Sequence, residues 1–291
     1  MTIFNRISTL LLGLIGTPII SACDPPDPAH EDFVIGGQTY STQRLTQYKL
    51  PKSLREISGL AIDGSDRLFG HDDEKAIVYQ IDERRGAFVK RFAVGKPVKA
   101  DFEGMAISPD HFYLVTSSGS IFEFSEAEDG EQTDYRRYKS GIDCEVEGLT
   151  YHHDDKSLYV ACKNLKKGAE EAIRIHRWST QSKQYQSDVI TVTYQEVRRH
   201  LPALKKIQPT GITTTAEGNF LLIAGRQELL IELDRFGSIR DTARLPHPKK
   251  LHPQTEGIVR TSDHRLVLAD EGGDKGNNGK PKGRLSVYHP L

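Results

Sequence analysis

The stretch CEVEGLTYHHDDKSLYVACK, residues 144–163, decides the fold. Two runs of alternating apolar residues flank a polar turn, a cysteine stands near each end, and two glutamates precede a glycine. A period of two marks half-buried strands. Alone, the stretch reads as a disulfide-clipped hairpin, a metal loop or one unit of a repeat.

The rest of the chain selects the repeat. EISGLAIDGSDRLFGHDD begins at residue 56, DFEGMAISPDHFYLVTSS at 101, QPTGITTTAEGNFLLIAGRQ at 208 and QTEGIVRTSDHRLVLADEGG at 254. Each has two polar positions before a glycine, an apolar-alternating run, a turn and a second β-rich run. The glycines are Gly59, Gly104, Gly148, Gly211 and Gly257, at intervals of 45, 44, 63 and 46 residues. A unit of about 40–45 residues with several strands is the signature of a propeller.

Third strands are expected in AIVYQID, SIFEFS, AIRIHRW, LLIELD and RLSVYHP, and outer strands in AFVKRFAV, TDYRRYK, DVITVTY and SIRDTARL. The fifth unit lacks an outer strand of its own, and the N-terminal QRLTQYKL is expected to supply it and close the ring. The long third interval holds YQEVRRHLPAL, read as an inserted helix; a sixth, degenerate blade is the alternative. The reading is all-β, a single five-bladed β-propeller.

The N-terminus is read separately. Arg6 precedes an apolar run from Leu10 to Ile20, too short to span a bilayer, with small residues after it. Ile20-Ser21-Ala22-Cys23 is similar to a bacterial lipobox, although Leu is commoner at the first position. The expectation is a lipoprotein signal peptide over residues 1–22, a lipidated Cys23 with a Pro-rich tether over 23–40, and the propeller over 41–291. Asp24 resembles a signal for retention at the inner membrane, which implies the periplasmic face. A plain signal peptide with a chance cysteine is the competing reading. With Cys23 lipidated, Cys144 and Cys162 remain, to pair in an oxidising compartment or to stay as buried thiols.

The 39 basic and 40 acidic residues give no electrostatic case for nucleic acid. The candidate chemistry lies at one rim. Polar side chains two residues apart on each first strand share a face, giving Glu56 and Ser58, Asp101 and Glu103, Glu145 and Glu147, Gln208 and Thr210, Gln254 and Glu256. Second strands return to that rim in His71-Asp72-Asp73, Ser117-Ser118, Lys163-Asn164, Arg226-Gln227 and Asp270-Glu271. Converging carboxylates need protons, basic partners or a metal.

Oxygen ligands suit Ca²⁺ better than Zn²⁺. Glu103, Glu147 and Glu256 are the preferred ligands because each directly precedes a repeated glycine; Glu56, Asp101, Glu145, Asp270 and Glu271 are secondary. The structural alternative has these residues hydrogen-bonding neighbouring blades, with Lys163 and Arg226 neutralising them. His71, Asp72, Lys163 and Arg226 are the candidates for any catalytic chemistry. His152, His153, His247 and His252 are expected at the surface. DEGGDKGNNGKPKG, residues 270–283, fits neither a phosphate loop nor an EF-hand and reads as a rim loop.

EISGLAID, DFEGMAI, VEGLTY with SLYVACK, PTGITTT and TEGIV with LVLADEGG resemble the SdiA-regulated, YjiK-like family of bacterial envelope propellers. The likeness spans Tyr48 to Pro290, and the repeated E-G-[LIM] pattern is shared with related esterase-like phytase propellers. It implies a five-bladed propeller with a metal site on the axis and an undefined biochemical role, and it transfers no catalytic set. Two functional classes follow. The preferred one is a non-catalytic envelope protein, Ca²⁺-dependent, that binds a small ligand or another envelope protein and reaches the membrane through its lipid anchor. The alternative is a metal-assisted hydrolase of phosphate or carboxylate esters.

Overall fold

Each repeat folds as an antiparallel sheet because its alternating residues can bury one face only against another sheet. The computed structural model describes residues 31–165, 171–272 and 282–291. Blade one runs Ile57–Ile62, Leu68–Asp72, Ile77–Asp82 and Ala87–Val94, with Gln132–Thr133 added in parallel at its edge. Blade two runs Phe102–Ile107, Phe112–Thr116, Ile121–Phe124 and Tyr135–Tyr138. Blade three runs Cys144–His152, Ser157–Leu165, Ala172–Ser179 and Gln184–Thr193. Blade four runs Gly211–Thr214, Phe220–Ala224, Leu229–Leu233 and Ile239–Arg244.

Blade five is built from both ends of the chain. Thr255–Arg260, Leu266–Asp270 and Arg284–Pro290 are followed outward by Gln38–Lys49, which pairs antiparallel with the last strand from Lys49 opposite Arg284 to Tyr40 opposite Pro290. The ring closes as expected. The tether expected over 23–40 ends earlier than that, because Asp32–Ile35 already pairs with Gln38–Ser41. Phe33 and Ile35 draw this segment in, packing with Tyr40 and Tyr288 between blades four and five. Gly36 and Gly37 turn the hairpin with φ of +59° and +71°, and a Cβ at Gly36 would strike Arg260 and Glu232. Residues 1–30, including Cys23 and the segment expected to be a signal peptide, lie outside the described residues.

The core is divided as a propeller requires, into five apolar clusters with one between each pair of adjacent blades. Between blades two and three, Trp178 is fully buried against Tyr113 and Tyr138. Burying one such side chain contributes about 2–3 kcal/mol. Among the described residues the third interval holds no sixth blade. It contains the long outer strand of blade three and a helix, Tyr194–His200, closed by a capping box between Thr193 and Glu196. Tyr194 and Val197 turn its apolar side into the cluster between blades three and four.

Candidate functional site

The five first strands stand side by side around the axis, each next to the following one and the last next to the first. The repeated glycines allow that approach. A Cβ on Gly104 would lie 2.6 Å from Leu149 N, one on Gly148 3.1 Å from Ile212 N, and one on Gly211 2.9 Å from Glu256 O.

The residue before the glycine is placed by a second device. The ladder slips between Ile57 and Gly59, Phe102 and Gly104, Val146 and Gly148, and Thr255 and Gly257. Ser58, Glu103, Glu147 and Glu256 are therefore the extra residues of four bulges, and a bulge re-aims its side chain. Simple alternation puts both polar residues of a pair on one face. In blades two and three the bulge separates them instead, so Asp101 and Glu145 are exposed while Glu147 is only 4% exposed, whereas Glu56 and Gln254 still line the cavity with Ser58 and Glu256. In blade four Thr210 takes this position and bonds Thr255 O at 2.7 Å.

These side chains line a cavity of about 130 Å³ at one end of the axis. Six carboxylates face it, from Glu56, Asp73, Glu103, Glu147, Glu256 and Glu271, against the cations Lys163 and Arg226. Beneath it the channel narrows to a neck of about 10 Å³, where Leu60, Met105, Leu149, Ile212 and Ile258 take over the lining.

Several of these side chains have partners within the cavity. Lys163 Nζ donates to Glu147 Oε1 and stands 3.9 Å from Glu145. Ser58 Oγ donates to Glu103 Oε2 at 3.0 Å, and Gln254 donates to Glu271. Burial first, then the Glu147 charge, pushes Glu103 up to about 9 and Glu256 up to about 8. Burial also raises Glu147, although Lys163 opposes the shift. Asp73 is pushed up to about 7 by burial, with Asp72 and Glu56 adding to it. For Lys163, burial lowers the ammonium pKa but Glu147 outweighs it, so the group stays charged.

The remaining candidates separate clearly. Among the described residues, the acidic trio whose oxygens all lie within 4.8 Å of one another is Glu56, Asp72 and Asp73, at the rim. Glu103, Glu147 and Glu256 share the cavity but are spread more widely around it. Asp72 also accepts from the backbone of Glu74 and Lys75, both at 3.1 Å, which fixes a turn. Asp270 is fully buried with His252 Nδ1 at 3.2 Å and Thr255 Oγ1 at 2.9 Å, a structural network away from the cavity.

His71 is also fully buried, faces the Cα of Gly59, and has its pKa lowered to about 4 by burial. It does not line the cavity, so the acid–base role suggested by its position at the strand end is not available to it. His152 and His252 were expected at the surface and are buried instead: His152 sits 3.1 Å from Gly218 O, and His252 Nε2 sits 2.7 Å from the Tyr288 hydroxyl. Arg226 is exposed at the mouth of the cavity, on a short turn fixed where Gly225 N donates to Thr210 Oγ1 at 3.1 Å. Among the described residues it has no hydrogen bond or ion pair. The rim loop between residues 273 and 281 lies outside the described residues.

Cys144 and Cys162 are joined by a disulfide, with their Cα atoms 5.9 Å apart. It ties together the ends of the two strands that carry Glu145, Glu147 and Lys163. The sequence pattern did not single out Asp73 or Ser58 as site residues, although both lie at strand positions it had marked.

Fold and site define the protein as a five-bladed β-propeller with an acidic axial cavity. In structure it is similar to glutaminyl cyclase of Myxococcus xanthus, at 13% identity and a TM-score of 0.58 over 84% of this chain and 95% of that one. It is also similar to the PQQ-bound aldose sugar dehydrogenase of Streptomyces coelicolor, at 15% identity and a TM-score of 0.55 over 85% and 99% of the two chains. A luciferin-regenerating enzyme matches at 12% identity and a TM-score of 0.51, over 85% and 96%. No protein-family model and no curated protein matches the chain. At these identities the likeness establishes the propeller fold, which in these neighbours carries enzymes.

Proposed function

We propose that the protein is an envelope lipoprotein of the SdiA-regulated, YjiK-like kind whose propeller binds a divalent cation, Ca²⁺, in the axial cavity, in a binding rather than a catalytic role. One observation carries the reading: four bulges aim Ser58, Glu103, Glu147 and Glu256 into one cavity, where, among the described residues, Lys163 is the cation paired with them. Buried carboxylates in such excess stay protonated or take up a cation.

The donor set fits. It consists of carboxylate and hydroxyl oxygens, which hold Ca²⁺ at about 2.3–2.6 Å with six to eight ligands. Glu103, Glu147 and Glu256 would be the protein ligands, with Ser58 Oγ beside them and water filling the wider spaces. Anchoring rests on the apolar run Leu10–Ile20 and on Cys23 in its lipobox-like setting. Among the described residues no helix is long and apolar enough to cross a membrane.

Calorimetric titration of Ca²⁺ into the chelator-treated, detergent-solubilised protein tests the reading. Saturable binding near one ion per chain, lost in Glu103→Gln, is expected. No heat and no thermal shift at millimolar Ca²⁺ would overturn it.

A second reading, metal-assisted hydrolysis of a phosphate or carboxylate ester, is favoured by Arg226, which stands at the cavity mouth without an acidic partner among the described residues. The cation would polarise the ester, Arg226 would hold its anionic group, and Asp73, rather than the enclosed His71, would be the group to carry a proton. Turnover in a panel of phosphate and carboxylate esters, lost in Glu147→Gln, selects this reading over simple binding.

A further inference from the structure

We infer that Lys163 is a tethered counter-cation that occupies the axial site in competition with the free cation, so that this one side chain sets the affinity and charge selectivity of the cavity. The inference rests on the cation-binding reading above and adds the feature that controls it.

Three observations carry it. The Lys163 ammonium is drawn into the cavity, bonded to Glu147 and facing Glu145, with its side chain only 14% exposed. Glu147 is one of the preferred ligands, so a cation taking both of its oxygens has to displace that ammonium. Lys163 is also held in place from both sides. Cys162, directly before it, is in the disulfide to Cys144. Asn164, directly after it, donates to Glu145 and accepts from Gln208 Nε2 at 2.7 Å and Lys206 Nζ at 3.1 Å. A lysine on a free strand end would swing out into water. This one is fixed where the cation would sit.

Blade three is alone among the five in this arrangement. At the corresponding strand ends the other blades carry Asp72-Asp73, Ser117-Ser118, Arg226-Gln227 and Asp270-Glu271. Arg226 is the other cation of the set and has no acidic partner among the described residues, whereas Lys163 reaches inward. A bound monovalent charge of this kind also discriminates. A divalent ion gains more from the carboxylates than the ammonium does, and a monovalent ion does not, so the site favours divalent cations.

The test compares the full-length protein with Lys163→Met and Lys163→Arg by calorimetric titration of Ca²⁺ and of K⁺. The methionine retains the length and packing of the side chain without its charge, and the arginine retains the charge. Lys163→Met is expected to bind Ca²⁺ about tenfold tighter or more and to acquire measurable K⁺ binding. Lys163→Arg is expected to stay within about threefold of the parent. Ca²⁺ affinity equal to or weaker than that of the parent in Lys163→Met overturns the inference and leaves the cation-binding reading standing. No Ca²⁺ binding by either the parent or the variant overturns the cation-binding reading itself.

Should Lys163→Met fail to fold, the unaltered protein still decides the matter through the ¹⁵N-resolved signal of the Lys163 ammonium. Saturating Ca²⁺ is expected to release that group to fast exchange with water. A signal that stays slow and unshifted at saturation contradicts displacement.

Discussion

The two ends of the axial channel are built from the same five strands and differ in character. At one end lies the cavity of about 130 Å³ faced by six carboxylates. At the other, past the apolar neck, lies a funnel of about 200 Å³ walled by residues such as Ile62, Ala106, Ile107 and Thr214. The charges near the funnel are locally matched: Asp63 with Arg67 at 2.6 Å, Asp66 with Ser262, and Arg260 with Glu217 at 2.5 Å. The innermost strand pairs keep a regular register to that end, so alternation holds along them. In the innermost strand pairs of the described residues the slips lie at the acidic end, where they re-aim Ser58, Glu103, Glu147 and Glu256; other slips, such as those at Gln80/Ile81 and Glu232/Leu233, lie between outer strands. The two ends therefore differ in the register of their innermost strands as well as in charge.

The largest effect should come from the glycines that make the acidic end possible. Gly104→Val places side-chain atoms against the Leu149 and Gly148 backbone, already 2.6 Å and 2.9 Å from an added Cβ. It is expected to cost about 4 kcal/mol or more, measured by urea unfolding. A mild effect would mean that the strands can separate and the ring is not tight.

Next in size is the staple of blade three. Replacing Cys144 and Cys162 by serine opens a bridge across 18 residues of chain, at about 3 kcal/mol of stability. Because the bridge also holds the Lys163 strand end, Ca²⁺ affinity should change in the same variant. A loss of stability with unchanged affinity would separate the staple from the site.

A smaller effect should distinguish the two ends by pH. Glu103 and Glu256 have folded pKa values raised to about 9 and about 8, above their ordinary value of 4.5. Over the window between that value and the folded pKa the native state holds more protons than the unfolded chain, so stability falls as pH rises. The chelator-treated protein should therefore lose thermal stability from about pH 5 to pH 9, and Ca²⁺ should remove the loss. A flat profile would mean that the carboxylates are already neutralised.

The smallest effect belongs to the quiet end. Asp66→Asn keeps a residue suited to φ of +57° and should change stability by less than about 0.5 kcal/mol. It should leave Ca²⁺ affinity unaltered, and any shift there would mean that the two ends communicate through the neck.

How much of this was legible in the sequence follows the same division. The five glycines, the alternating runs and the N-terminal strand that closes the ring could all be read, because regular strands write their faces into a period of two. The site was legible only in part. Glu103, Glu147 and Glu256 were marked by standing before a glycine, but separating them from Asp101 and Glu145 depends on bulges, and a bulge has no fixed residue signature apart from that glycine. The burial of His71, His152 and His252 could not be read, since an imidazole in a turn or at a strand end looks the same whether a neighbouring blade covers it or not. Asp73 joins the cavity through Glu56 of the adjacent strand, a contact that neither residue announces.

The central claim is that the bulged carboxylates bind a cation on the axis. Crystals of the protein grown with Ca²⁺, and a second set exchanged into Mn²⁺, test it most directly through anomalous scattering. The account predicts one strong peak on the axis above the neck, within coordination distance of Glu103, Glu147 and Glu256, with Lys163 swung off Glu147. An axis without a peak in both sets, and with Lys163 still bonded to Glu147, would contradict it.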